Sequence, residues 1–225
     1  DELKQRYQWA EALGGDESVK RHHAQNRLTV RERIAGLLDT GSFQEVGKLT
    51  GSATYAGDKL AKVTPAPYVM GLGTIDGRQV AIGGEDFTVR GGTSWGGTRR
   101  KGGQGGFVED LAHEYRIPLV NLIDGAGGSV TSAVKRGYTV FPGIHGFERS
   151  VELLGEVPVI SAVLGTAAGG PAGRAILSHW SLMVKGTSQI FAAGPPVVER
   201  SLGEKVDKEQ LGGAILQMTH LQATL

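Results

Sequence analysis

Leu3, Tyr7, Ala10 and Leu13 recur at intervals of three and four, the spacing of one helix face. Thr29-Val-Arg-Glu32 has the form of a capping box and opens a second periodic run, "VRERIAGLLD", which stops near Gly41. The first 40 residues are therefore predicted to be mostly helical, with residues 1–45 forming a helical extension packed on the rest of the chain. The pattern then changes to short apolar runs at 68–75, 78–84 and 85–92, which predict strands, the first two joined by an Asp76-Gly77 turn. Downstream, a helix is predicted over 105–116, a buried strand over 118–124, a helix over 146–155 and a buried strand over 157–165. A loop at 166–170, a small-residue helix at 171–178 and short strands within 181–186 and 188–194 complete the pattern. Helices that separate buried strands predict an α/β fold.

Composition narrows the functional classes. Lys plus Arg number 24 against 23 Asp plus Glu, so no net field recruits nucleic acid or an anionic membrane. The sequence contains no apolar stretch of about 18 residues and no charged-then-apolar leader, so neither a membrane span nor a secretory signal is expected. With no cysteine, disulfides and thiolate metal sites are excluded, which fits a reducing compartment.

Glycine changes the picture further. It accounts for 36 of 225 residues, about twice the usual ~7%, and clusters at 83–84, 91–97, 102–106, 125–128, 165–173 and 212–213. Two clusters follow buried strands directly, "NLID-GAGG" ending at Gly128 and "AVLG-TAAGG" ending at Gly170. Successive free N–H groups after a strand and at a helix start favour negative charge, and two such junctions on neighbouring strands can converge on one developing oxygen. A third cluster, Gly92-Thr93-Ser94-Trp95-Gly96, matches the G-x-S-x-G nucleophile elbow. Asp110, Asp124, His145, His179 and His220 are the nominal acid and base partners of Ser94, none singled out by its context. The glycine-rich "GGTRRKGGQGG" that follows is a poor elbow helix.

The stretches 27–43, 85–97, 117–128, 157–170 and 183–214, in unbroken order, resemble the N-terminal half of biotin-dependent acyl-CoA carboxylase carboxyltransferase β subunits, such as those of the propionyl-CoA and methylcrotonoyl-CoA carboxylases. The resemblance implies one carboxyltransferase N-terminal domain over 1–225, with a crotonase-like fold of repeated β-β-α units. It also implies a C-terminal carboxyltransferase domain, absent from this chain, that completes the active site. The implied reaction moves a carboxyl group from carboxybiotin to an acyl-CoA, with backbone amides holding the enolate oxygen. Gly127, Gly128, Gly169 and Gly170 are the implied catalytic positions. Gly92, Thr93, Ser94, Gly96, Arg99, Lys101, Ala126 and Ala168 are the implied coenzyme A contacts.

Arg99, Arg100 and Lys101 are read as phosphate contacts. Lys20, Arg21, Arg27 and Arg31 are read as a solvated helix face, and His22-His23 as surface polar residues. No metal is expected. The implied partners are a biotin carboxylase and biotin carboxyl carrier subunit and further β subunits in a hexamer; the implied location is bacterial cytoplasm, or the mitochondrial matrix in a eukaryote. A decarboxylase subunit working in reverse, or a non-catalytic coenzyme A-binding module, are the alternatives. Two departures from the family pattern bear on the acyl site. An arginine usual after the first glycine junction is replaced by Ser129, and the residues after the second are Pro171-Ala172-Gly173.

Overall fold

The computed structural model describes residues 2–93, 107–128, 134, 137 and 145–217. Three helices come first: α1 (Glu2–Glu11), α2 (Asp16–His23) and α3 (Val30–Leu37). The capping box that predicts α3 is formed. Thr29 N–H donates to Glu32 Oε2 at 2.7 Å and Glu32 N–H to Thr29 Oγ1 at 3.3 Å, so two otherwise orphaned donors are satisfied. At the other end of α3, Asp39 accepts from Thr74 Oγ1 at 2.5 Å and from the Asp76 and Gly77 amides at 3.0 and 2.9 Å. This ties the helix to the predicted Asp-Gly turn, where both residues have positive φ, as a tight hairpin requires.

The main sheet runs β1 (Gln44–Glu45), β4 (Tyr68–Ile75), β5 (Arg78–Glu85), β6 (Leu119–Gly125), β7 (Val159–Ala168) and β8 (Trp180–Met183) in spatial order, with β9 (Gln189–Phe191) also pairing β7. The β1–β4 and β4–β5 pairs are antiparallel; β5, β6, β7, β8 and β9 run parallel. Helices α4 (Phe107–Tyr115) and α5 (His145–Leu153) lie in the β5–β6 and β6–β7 connections, and α6 (Gly170–Ile176) follows β7. A separate hairpin, β2 (Gly51–Ala56) with β3 (Lys59–Pro65), and the late helices α7 (Pro195–Leu202) and α8 (Lys208–Gly212) are elements that the hydrophobic pattern does not predict.

Strand alternation divides the core between the two sheet faces. Val69, Val80, Ile82, Val120 and Leu122 pack with Ile34 and Leu38 of the α3 region, while Ala81, Leu119 and Val159 pack with Val108, Ala112 and Leu153 of α4 and α5. Each fully buried side chain such as Ile34 or Leu153 contributes about 1.5–3 kcal/mol by leaving water. A smaller cluster, Ile123, Val163, Ala167 and Ala175, seats α6 on the far ends of β6 and β7. Both strands thus end under one helix, which sets where their glycine junctions emerge.

Two expectations change. The strand expected at 85–92 does not form: Glu85 is the last residue of β5, and Asp86 turns the chain by accepting from Thr88 N–H at 2.9 Å and Thr88 Oγ1 at 2.6 Å. The expected loop at 166–168 is strand, because β9 supplies partners for Thr166, Ala167 and Ala168.

Candidate functional site

The C-terminal ends of the parallel strands bring three glycine segments together. After Asp86 the chain passes through three consecutive residues with positive φ, Arg90 (53°), Gly91 (68°) and Gly92 (66°). The Gly91 carbonyl accepts the Ala126 amide at 2.9 Å, which binds this loop to the first junction. At that junction Gly127 has φ 74°, and a Cβ there would land on the Ala168 carbonyl oxygen and lie 3.6 Å from the Gly169 Cα. The junctions at 125–128 and 168–170 are therefore in contact, through a register in which Gly125 pairs Ala167.

The fates of the amides differ. Ala126 N–H is spent on Gly91, and Gly169 N–H donates to Phe191 O at 3.2 Å. Among the described residues, the amides of Gly127, Gly128 and Gly170 make no hydrogen bond. Gly128 and Gly169 are exposed, Gly127 is buried and Gly170 half-buried. Gly169, with φ 61° and ψ −119°, sits in a conformation that side chains rarely adopt and turns the chain into α6, whose second residue is Pro171. Chemically, two abutting bends with unspent N–H groups are able to donate hydrogen bonds to an oxyanion.

Of the other residues expected to contact coenzyme A, Gly92, Thr93 and Ala168 are buried beside these bends. Thr93 Oγ1 donates to Arg90 O at 2.8 Å. Ser94, Gly96, Arg99 and Lys101 lie outside the described residues, as do His220 and the side chain of His145.

Beneath the bends lies a buried ionic network. Asp124, fully buried at the end of β6, pairs with Arg27 and with Arg33, whose Nη1 is 2.9 Å from Asp124 Oδ2. Arg33 Nη2 also donates to Leu164 O at 3.4 Å, and the Arg27 guanidinium stacks 4.6 Å from the Phe87 ring centroid. Burial pushes the Arg33 guanidinium below the usual arginine range, and the Asp124 carboxylate opposes that shift. Next to it, Glu85 pairs with Arg174 of α6 and accepts the Asp124 amide at 3.2 Å. Asp86 is also buried, and desolvation raises its carboxyl pKa.

Several expectations are corrected here. Arg27 is buried and Arg31 is half-buried against Glu45, with Nη1 to Oε2 2.8 Å; only Lys20 and Arg21 of that set face solvent. His22 is buried, its Nε2 3.0 Å from Leu28 O, and burial with nearby Arg27 lowers its pKa; His23 is the exposed one of the pair, 2.9 Å from Glu32. Asp124 is held by arginines. His179 is a structural pin: its Nδ1 accepts Val159 N–H at 3.0 Å and its Nε2 lies 3.0 Å from Leu154 O. Asp110 of α4 pairs with Arg149 at 3.3 Å. These three nominees of a serine hydrolase are thus engaged elsewhere.

Within the departure at Pro171-Ala172-Gly173, the glycine has a packing reason. A Cβ on Gly173 would sit 2.7 Å from the Phe147 ring, so α5 fills the space a side chain there would need. Among the described residues, no three His, Cys, Asp or Glu side chains gather to hold a metal ion, and no helix is long and apolar enough to cross a membrane.

Residues 21–221 match the family model described as "Carboxyl transferase domain". The chain is 36% identical to the methylcrotonoyl-CoA carboxylase beta chain of Arabidopsis thaliana, over 97% of its own length, and 36% identical to the methylmalonyl-CoA decarboxylase subunit alpha of Veillonella parvula, over 91%. It spans 36% and 39% of those relatives' lengths. Its structure is similar to transcarboxylase 12S solved with methylmalonyl-coenzyme A, with a TM-score of 0.77 and 32% identity, covering 96% of this chain and 41% of that one. It is likewise similar to the beta subunit of the Pseudomonas aeruginosa geranyl-CoA carboxylase, with a TM-score of 0.74 and 27% identity over 98% and 39% of the two chains.

Proposed function

The chain belongs to the carboxyl transferase domain family, and from that premise we propose that it forms the acyl-CoA half of a biotin-dependent acyl-CoA carboxyltransferase. Its fold is the crotonase-like one. The observation that carries the reading is the contact between the two glycine bends, where the unspent amides of Gly127, Gly128 and Gly170 lie at the ends of neighbouring parallel strands.

In this reading the thioester carbonyl of an acyl-CoA lies against the bends. As the α-proton leaves, electron density moves onto that oxygen, and the amides stabilise the enolate more than the ground-state carbonyl. Losing one such donor costs about 10²–10³ in rate. Gly169 serves through its conformation, since its own N–H is held by Phe191 O and its φ of 61° aims the Gly170 amide. Biotin carried by a partner would supply, when bound, the carboxyl group and the base for the α-proton. The residues of this chain orient the thioester and hold its charge. The loop around Gly92 and Thr93, together with Ser94, Gly96, Arg99 and Lys101, is assigned to coenzyme A.

A C-terminal carboxyltransferase domain, a biotin carboxyl carrier partner and a hexameric assembly of β subunits complete the proposed enzyme. The kinship with a methylmalonyl-CoA decarboxylase subunit supports the reverse direction as a second reading, because amides that stabilise an enolate serve both directions. The test is transfer of labelled carboxyl from carboxybiotin to a panel of acetyl-, propionyl-, methylcrotonoyl- and longer acyl-CoAs by the full-length protein with its biotinylated partner. Transfer to at least one thioester is expected. No transfer to any of them, with coenzyme A bound, would favour a non-catalytic module.

A further inference from the structure

Glu85 is the last residue of β5 and is buried, at 4% exposure. Its side chain reaches into the space between the three glycine segments. A Cβ on Gly92 would lie 3.0 Å from Glu85 Cβ and 2.8 Å from Asp124 O, and a Cβ on Gly125 would lie 2.7 Å from Glu85 Cγ and 3.2 Å from Pro171 Cγ. The carboxylate divides its oxygens. Oε2 accepts the amide of Asp124, at the root of the first bend, and Oε1 pairs with Arg174, on the helix that begins at the second bend. Arg174 is itself buried, with its guanidinium 5.5 Å from the Tyr68 ring centroid.

A buried ion pair is weak evidence for stability, because the cost of removing both charges from water consumes most of their attraction. Such a pair does fix geometry: neither charge can leave the other without becoming an uncompensated buried ion. The side-chain partners of Glu85 all sit on the segments that carry the proposed oxyanion donors or the loop beside them. We infer that Glu85 is a positioning residue for the oxyanion site, its carboxylate holding the bends at 124–128 and 169–170 at a fixed separation through Asp124 N–H and Arg174. This inference rests on the proposed carboxyltransferase reading for its kinetic effect, though not for its geometry.

Donors aimed at a developing charge tolerate errors of about 0.5 Å, and a misplacement of about 1 Å costs on the order of 10² in rate. Glu85→Asp keeps the charge but shortens the arm by one methylene, so it cannot serve both partners. Glu85→Gln keeps the length and the acceptor for Asp124 N–H but loses the ion pair. In carboxyl transfer by the full-length protein with its biotinylated partner, Glu85→Asp is expected to lower kcat about 10- to 100-fold while the acyl-CoA KM moves less than about 3-fold, and Glu85→Gln, which leaves Arg174 without its counter-charge, to lower kcat at least as much. A folded Glu85→Asp protein with wild-type kcat, or a loss confined to KM, overturns the inference.

Amide hydrogen exchange supplies a readout independent of turnover. In Glu85→Gln, the bonded amides of Asp124, Ala126 and Gly173 are expected to exchange faster together while the β4–β5 hairpin stays at its wild-type rate. Uniform acceleration, or none, overturns the inference. If the wild-type protein transfers carboxyl to no thioester, the functional reading fails, and the exchange result still decides whether Glu85 holds the bends.

Discussion

Gly127 backs directly onto Ala168: the position a Cβ would take at Gly127 is occupied by the Ala168 carbonyl oxygen. Since Gly127 also has φ 74°, a side chain there is opposed by both space and backbone. Gly127→Ala is expected to destabilise the protein by about 1–3 kcal/mol, read as a lower urea midpoint, and to reduce carboxyl transfer more than stability alone explains, because the bend must move away from the second one. Unchanged transfer in the folded variant would separate this contact from the chemistry.

Gly170 offers a cleaner way to delete a donor. Proline is accepted in the first turn of a helix, where its missing N–H breaks no helical bond, and Gly170 is the first residue of α6. Gly170→Pro is expected to leave the circular dichroism spectrum unchanged and lower kcat by about 10²–10³. Gly169→Pro is the poorer test. There φ is 61° and the N–H is bound to Phe191 O, so proline would break structure and site at once.

Asp124 is shared by two largely buried guanidinium groups. Asp124→Asn leaves Arg27 and Arg33 buried without their counter-charge, and a loss of about 3–5 kcal/mol is expected in equilibrium unfolding. A loss below about 1 kcal/mol would mean that water reaches the network.

Glu32 gives a pH signature. The hydrogen bond with His23 is the largest cause that lowers its carboxyl to about 2 from an ordinary 4.5, with the Thr29 amide and hydroxyl adding to it and burial opposing. A depressed carboxyl stabilises the fold above its unfolded pKa, and that contribution is lost as pH falls from 4.5 towards 2. The side chain is 43% exposed, so solvent screening keeps the effect to about 0.5–1 kcal/mol. Glu32→Gln is expected to unfold more easily than wild type at pH 7 and to show a smaller gap at pH 2.5, measured by thermal unfolding at both values.

The elements legible in the sequence are those whose signals are local. The α3 capping box, the Asp76-Gly77 turn and the apolar runs of β5, β6 and β7 each depend on residues a few positions apart. The β2–β3 hairpin is not legible because "GSATYAGDKLAKVTP" is mostly exposed and carries no apolar alternation. The two glycine junctions are legible as strand ends, yet the spending of the Gly169 amide on Phe191 depends on a strand 20 residues later. The ionic network escapes local patterning for the same reason: Arg27 meets Asp124 across 97 positions, whereas its neighbouring charges alone place Arg27 in water. A signal is nevertheless present. Asp124 closes the apolar run "PLVNLID", and a carboxylate in a strand buried on both faces requires a cationic partner.

Halfway along, β7 exchanges one neighbour for another: Ile160 to Val163 pair with β8, and Thr166 to Ala168 with β9. The lower part of the strand is complete once residues 180–183 are laid down, but the upper part waits for 189–191, and the Gly169 amide stays unclaimed until Phe191 arrives. During synthesis from the N-terminus, the second bend is therefore among the last pieces of this sheet to take shape. Lesions in the stretch from 186 to 213 would then disarm the bend while sparing most of the core, giving a well-folded but silent protein.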